Sequence, residues 1–339
     1  MSSHREFVVP SLTRVPSGYS PEHKVRINQQ PEVMFEIMQN EGSLIGSIPL
    51  EPDVNLWAAV AGSPYCNPQE SESAHFLLFA HNHEVPSYYD LQNLDPSSIA
   101  QMIEVAYDFL ADDPDRRGAG YNMGPQNEPN VESSQGWKNL HFQCFTMPCP
   151  ESRTHVDSVT DEQILTFIQQ KRSCRMERLE PVTRHMARQS AEMLPEARVH
   201  IHEEMPNQWT MNVPLPTDNL QVASYLIHVD AYLKAMHSYH LALSHADVRG
   251  ARPTQPIYTV GFGVNADEKF VRVTLQNDVG GSKMGIAETA FGMWPLRSAN
   301  SPGQSYVADG QAVATEDTMQ EFAKRTHTMA GELLARRAK

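Results

Sequence analysis

Polar side chains occupy every second position in Asn139-Leu140-His141-Phe142-Gln143. In a β-strand this alternation puts Asn139, His141 and Gln143 on one face and Leu140, Phe142 and Cys144 on the other. An imidazole with its ordinary pKa near ~6.5 is largely neutral at physiological pH and carries a nucleophilic nitrogen. The flanking amides can donate and accept hydrogen bonds but do not ionise. Burying such a row without partners is costly, so it is expected to line a wet or ligand-filled groove.

Just upstream, Gly118-Ala119-Gly120-Tyr121-Asn122-Met123-Gly124-Pro125 leads into a polar run over 126–135 that includes Ser134 and ends at Gln135. A glycine- and amide-rich lead-in can present backbone N–H groups and side-chain amides to an anion. Lys138 adds a positive charge beside the strand, although a strand-edge lysine is more often simply solvated. His81 and His83 flank a turn after the apolar run 75–80; they could face the same site or point into solvent. His200 and His202 share one strand face, and His237, His240 and His245 lie near one another on a helical stretch. Exposed sheet and helix faces explain these two groups more simply than a metal does.

The strand and its lead-in resemble the transferase branch of the histidine-triad superfamily. That branch holds the galactose-1-phosphate uridylyltransferases, the dinucleoside polyphosphate phosphorylases and the GDP-sugar phosphorylases. The family's His-x-His-x-Gln reads Asn139-Leu140-His141-Phe142-Gln143 here, so Asn139 replaces the first histidine. The resemblance implies that His141 attacks an α-phosphorus and holds the nucleotidyl group as a phosphoramidate. Gln143, Gln135, Ser134, Asn122 and nearby backbone amides would then hold the phosphate oxygens, and His83 and Lys138 join the candidate binding residues. Asn139 could orient His141 through a hydrogen bond.

In the uridylyltransferases the replaced histidine belongs to a metal site, and an amide is a poor zinc ligand. No metal or other cofactor is therefore expected. Glutamine cannot protonate a leaving group at neutral pH, which favours transfer between phosphates over expulsion of an amine. The expected activity is nucleotidyl transfer or phosphorolysis on a nucleoside diphosphate sugar or a dinucleoside polyphosphate. A hydrolase or lyase on a nucleotide-derived metabolite, exploiting Asn139, is one alternative. A catalytically silent nucleotide-binding protein is the other.

The elements that must position the strand follow from flanking periodicities. Short strands are expected over 33–37, 44–50, 56–60 and 75–80. Asp95-Pro96-Ser97 opens a helix whose apolar face carries Ile99, Met102, Ile103, Ala106, Phe109 and Leu110. A helix is expected from about 160, strands over 197–202 and 209–213, and a long helix over 218–245. An antiparallel pair is expected over 258–264 and 270–275, followed by a last helix after Thr315. The segment 285–292 resembles the stretch that closes the second repeat in the same families. The fold implied is α+β: two histidine-triad-like halves, antiparallel sheets with helices packed on one side. Residues 1–30 would form an irregular arm, 31–150 the half carrying the motif, and 151–339 a degenerate second half.

Composition narrows the partners. Twenty-seven Lys and Arg stand against 41 Asp and Glu, a net charge of −14, which disfavours a general nucleic-acid or anionic-membrane surface. The start, Met1-Ser2-Ser3-His4-Arg5-Glu6, lacks an apolar signal core, and no apolar run is long enough to span a bilayer. The four cysteines, Cys66, Cys144, Cys149 and Cys174, form no CxxC pair and are expected to be reduced. The cytoplasm is the expected location, and a homodimer is possible because the family commonly dimerises.

Overall fold

Alternation decides which residues of the strand 75–81 meet the main core. Phe76, Leu78 and Ala80 enter it, while Leu77 and Phe79 belong to a separate cluster on the other face. The computed structural model describes residues 31–61, 71–81, 91–113, 117–123, 139–146, 188–201, 208–214, 218–231, 256–264, 269–277 and 316–339. The strands are β1 (Leu44–Leu50), β2 (Val54–Val60), β3 (His75–His81), β4 (Arg117–Met123), β5 (His141–Thr146), β6 (Arg198–Ile201), β7 (Gln208–Pro214), β8 (Pro256–Val264) and β9 (Lys269–Asn277). They form one nine-stranded sheet in the order β1-β2-β3-β5-β4-β8-β9-β7-β6. Every neighbouring pair is antiparallel.

That order contains an internal symmetry. From the outside inward, β2-β3-β5-β4 and β6-β7-β9-β8 run in the same sequence and meet at the β4–β8 pair, where Gly120 lies opposite Gly261. A helix, α2 (Pro96–Asp112), stands between β3 and β4; the helical stretch α3 over 219–231 stands between β7 and β8. The fold is α+β on an antiparallel sheet. A division near residue 150 into two related halves is a proposal that this strand order suggests.

Local chemistry sets α2. Asp95 accepts the backbone N–H of Ser97 at 2.8 Å, and Pro96 follows at a position that needs no N–H. Its apolar face, including Ile99, Met102, Ile103, Phe109 and Leu110, is buried in the main core. Residues Val222, Tyr225, Leu226 and Val229 of α3 and Ala323, Ala330, Leu333 and Leu334 of α4 (Glu316–Arg337) join the same cluster. Each fully buried Val, Leu, Ile, Met or Phe side chain among them contributes about 1.5–3 kcal/mol of transfer free energy, and each alanine methyl less. These helices therefore share one face of the sheet.

The opposite face carries a different cover. Residues 33–37, expected to be extended, lie within a helix, α1 (Pro31–Glu41). Val33 and Ile37 are β-branched and suggested a strand, but Met34, Phe35 and Met38 recur at helical spacing and outweigh them. These three pack on Ala59 and Phe79. Phe35 meets Trp57 edge-on at 4.9 Å between ring centroids and stacks on His81 at 4.3 Å.

Of the remaining expectations, strands 44–50, 56–60 and 75–80 correspond to β1, β2 and β3, and the pair near the C-terminal third to β8 and β9. The expected helix from 160, the part of the long helix beyond 231, the arm over 1–30 and the segment 285–292 lie outside the described residues. Among the described residues, no helix is long and apolar enough to cross a membrane.

Candidate functional site

β5 lies inside the sheet, between β3 and β4, and all six of its residues are buried. Phe142 and Cys144 enter the main core on the helix-covered side. Alternation therefore places His141, Gln143 and Phe145 on the other face, the one that carries α1. Burial raises the Cys144 thiol far above its ordinary value, so this sulfur is not a nucleophile at neutral pH.

The expected polar row exists, but its described members are buried rather than lining an open groove. Asn139 is fully buried, and His141 and Gln143 retain 7% exposure each. Partners on the protein itself offset the cost of that burial. The Asn139 amide donates to the Ala80 carbonyl at 3.0 Å, while its Oδ1 has no hydrogen-bond partner among the described residues. His141 Nδ1 lies 2.8 Å from the Asn139 carbonyl. Gln143 Oε1 lies 2.9 Å from His75 Nε2.

The His141 contact fixes a tautomer. A carbonyl oxygen can only accept, so Nδ1 must carry the hydrogen. In the neutral ring the lone pair is then on Nε2. The ring is thus held by main chain two residues away, and its other nitrogen has the electronic character of a nucleophile. Gln143 is held from β3, with Leu77 opposite it on that side and Gly120 opposite it on β4.

Asn122 stands two residues beyond Gly120 on β4, where its backbone lies opposite Thr259 of β8. Ser134, Gln135, Lys138 and His83 lie outside the described residues. His81 closes β3; it is almost fully buried and stacked on Phe35, so it is no exposed turn residue. His202, His237, His240 and His245 fall outside the described residues. Among the described residues, no group of three His, Cys, Asp or Glu side chains is placed to share a metal ion.

Sequence reasoning missed His75. It stands first in an apolar run and is 2% exposed. Its backbone N–H donates to Thr326 Oγ1 of α4 at 3.2 Å, and its ring packs at right angles to Phe145. The available signal was alternation, which sets His75 with Leu77 and Phe79, away from Phe76 and Leu78. Glycine makes room nearby. A Cβ on Gly118 would lie 2.7 Å from the Phe145 ring, and one on Gly263 would collide with the Phe270 ring.

No protein-family model matches the chain, and no curated protein does. Among solved structures, a uridylyltransferase mutant is similar over 84% of this chain and 86% of its own, at 11% identity and a TM-score of 0.33. A second uridylyltransferase structure is similar over 75% of each chain, at 11% identity and a TM-score of 0.30.

Proposed function

We propose that this chain is a nucleotidyltransferase or phosphorylase of the histidine-triad kind. Its substrate would be a nucleoside diphosphate sugar or a dinucleoside polyphosphate. The observation that carries the reading is the Asn139 carbonyl on His141 Nδ1, which leaves the lone pair of the neutral ring on Nε2. Nε2 attacks the α-phosphorus and forms a P–N bond. The P–O bond to the departing phosphate breaks, and its electron pair leaves on that oxygen. An acceptor phosphate oxygen then attacks the same phosphorus and expels His141.

Gln143, Asn122, Ser134 and Gln135 hold the phosphate oxygens in this reading, Lys138 and His83 add positive or donor character, and Asn139 holds the nucleophile. Donors fixed before the reaction stabilise charge that grows on those oxygens. The departing phosphate is a weak base and needs no proton from Gln143. No cofactor takes part. A cytoplasmic homodimer belongs to the same reading.

The test is covalent capture. The protein is incubated with a panel of α-³²P-labelled nucleoside diphosphate sugars and dinucleoside polyphosphates, then denatured at alkaline pH. Acid-labile label on the wild type and none on His141→Ala supports the reading. The near-burial of His141 favours a second reading, a nucleotide-binding protein without turnover. That protein would melt at a higher temperature with nucleotide yet take up no label.

A further inference from the structure

We infer that His75 is a positioning residue for Gln143, turning the N–H end of its amide toward the substrate's phosphate; this rests on the reading above. A glutamine amide has two chemically opposite ends of nearly equal size. Its NH₂ end stabilises a phosphate oxygen, whereas its oxygen end repels one. Rotation by half a turn about the last side-chain bond exchanges them. In the free amide both orientations are accessible, so something must choose between them.

His75 makes that choice. Its Nε2–H donates to Gln143 Oε1 at 2.9 Å, which commits the oxygen end to β3 and directs the NH₂ end away from it. The donor is itself immobilised. His75 is 2% exposed, it stands opposite Phe145 in the β3–β5 register, and its ring meets that aromatic ring at 88°. Thr326 of α4 accepts its backbone N–H. Arg325, the residue before Thr326, donates to both the carbonyl and the hydroxyl oxygen of Ser73. The start of β3 is therefore clamped to α4, 251 residues away along the chain. A donor held this firmly fixes the orientation of a glutamine across the strand pair, and preorganised orientation is where such sites gain rate.

The experiment uses α-thio substrates, in which sulfur replaces one non-bridging oxygen of the α-phosphate. Wild type, His75→Phe, His75→Gln, Gln143→Ala and His75→Phe/Gln143→Ala are compared for capture of each diastereomer at His141. A fixed N–H donor makes the wild type prefer one diastereomer. The His75→Phe change is expected to slow capture about 100- to 1,000-fold, the loss of one preorganised donor, and to collapse that preference to the Gln143→Ala value. The double variant should be no slower than the worse single one. His75→Gln, which restores an N–H donor, should recover the preference.

Retention of the wild-type rate and preference by His75→Phe overturns the inference. So does full additivity in the double variant. A direct measurement independent of folding of the variants is the ¹⁵N resonance of His75 Nε2 in the wild type: a protonated nitrogen supports the role, and a lone-pair nitrogen overturns it. Absence of any label on the wild type overturns the proposed function and this role with it. Normal labelling with unchanged selectivity in His75→Phe overturns the positioning role alone.

Discussion

The main chain of Asn139 holds His141, and its side chain holds the neighbouring strand. The Asn139 carbonyl accepts His141 Nδ1–H at 2.8 Å, and its amide donates to Ala80 at 3.0 Å. Asn139 is thus structural through one group and orienting through another. Asn139→Ala keeps the carbonyl but leaves the buried Ala80 oxygen without that donor. Stability should fall by about 1–3 kcal/mol, the cost of an unsatisfied buried polar group. Urea denaturation measures that loss. Capture of label at His141 should fall less than in Gln143→Ala, because the ring keeps its backbone partner.

The packing of Phe145 over Gly118 makes a second prediction. Gly118→Ala brings a methyl group to 2.7 Å from the ring and forces it to move. Overpacking of this kind costs about 1–3 kcal/mol. Phe145 also packs at right angles against the His75 ring, so the displaced ring should alter the His75–Gln143 bond as well. Denaturant melts of Gly118→Ala, alone and with Phe145→Leu, check it: the smaller side chain should recover part of the loss.

How much of this could be read from the sequence differs element by element. β1, β8 and β9 were legible because period-two alternation and turn residues coincide there. Asp95 and Pro96 marked the start of α2 for local reasons that hold without tertiary contacts. α1 was misread because Val33 and Ile37 favour extended backbone, while the burial of Met34, Phe35 and Met38 depends on a sheet face built from residues further along the chain. His141 was singled out by the alternation of its strand together with a family resemblance, and its role as a nucleophile remains part of the proposal. The partner of Gln143 was not legible: His75 and Gln143 are 68 residues apart, and only the strand order sets them side by side. The expected groove failed in part for the same reason, since β3 supplies bonds that the isolated strand could not reveal.

Asp112 gives a pH prediction. The Arg336 guanidinium, which grips both carboxylate oxygens, holds its pKa below the ordinary value, with Arg117 assisting. A depressed carboxylate contributes stability above the unfolded pKa, near ~3.9, and loses it as pH falls through the lower folded value. Both side chains are partly exposed, so the pair is worth about 1 kcal/mol or less. Arg336→Ala should melt slightly below wild type at pH 7. The gap should close as pH falls below about 4, and calorimetry over that range measures it.

His327, buried in α4, predicts a second loss on the same acid side, starting at a higher pH. Burial holds its imidazole below the ordinary pKa. Its neutral form is the folded one, so its contribution is complete above about pH 6.5 and declines as pH falls from there toward the folded value. A non-ionising variant, His327→Phe, should flatten the loss of stability as pH falls below about 6.5, whatever its effect at pH 7. Melting temperatures of the two proteins across that interval test the sign.

The central claim is that Nε2 of His141 makes a bond to phosphorus. Alkaline quenching of the wild type after incubation with α-³²P-labelled substrate, followed by peptide mapping, is the most direct test. The account predicts label on the peptide containing His141, released by acid, and missing from His141→Ala while Asn139→Ala retains it. Product formation by a wild type that never carries label at His141, or equal labelling of His141→Ala, would contradict it.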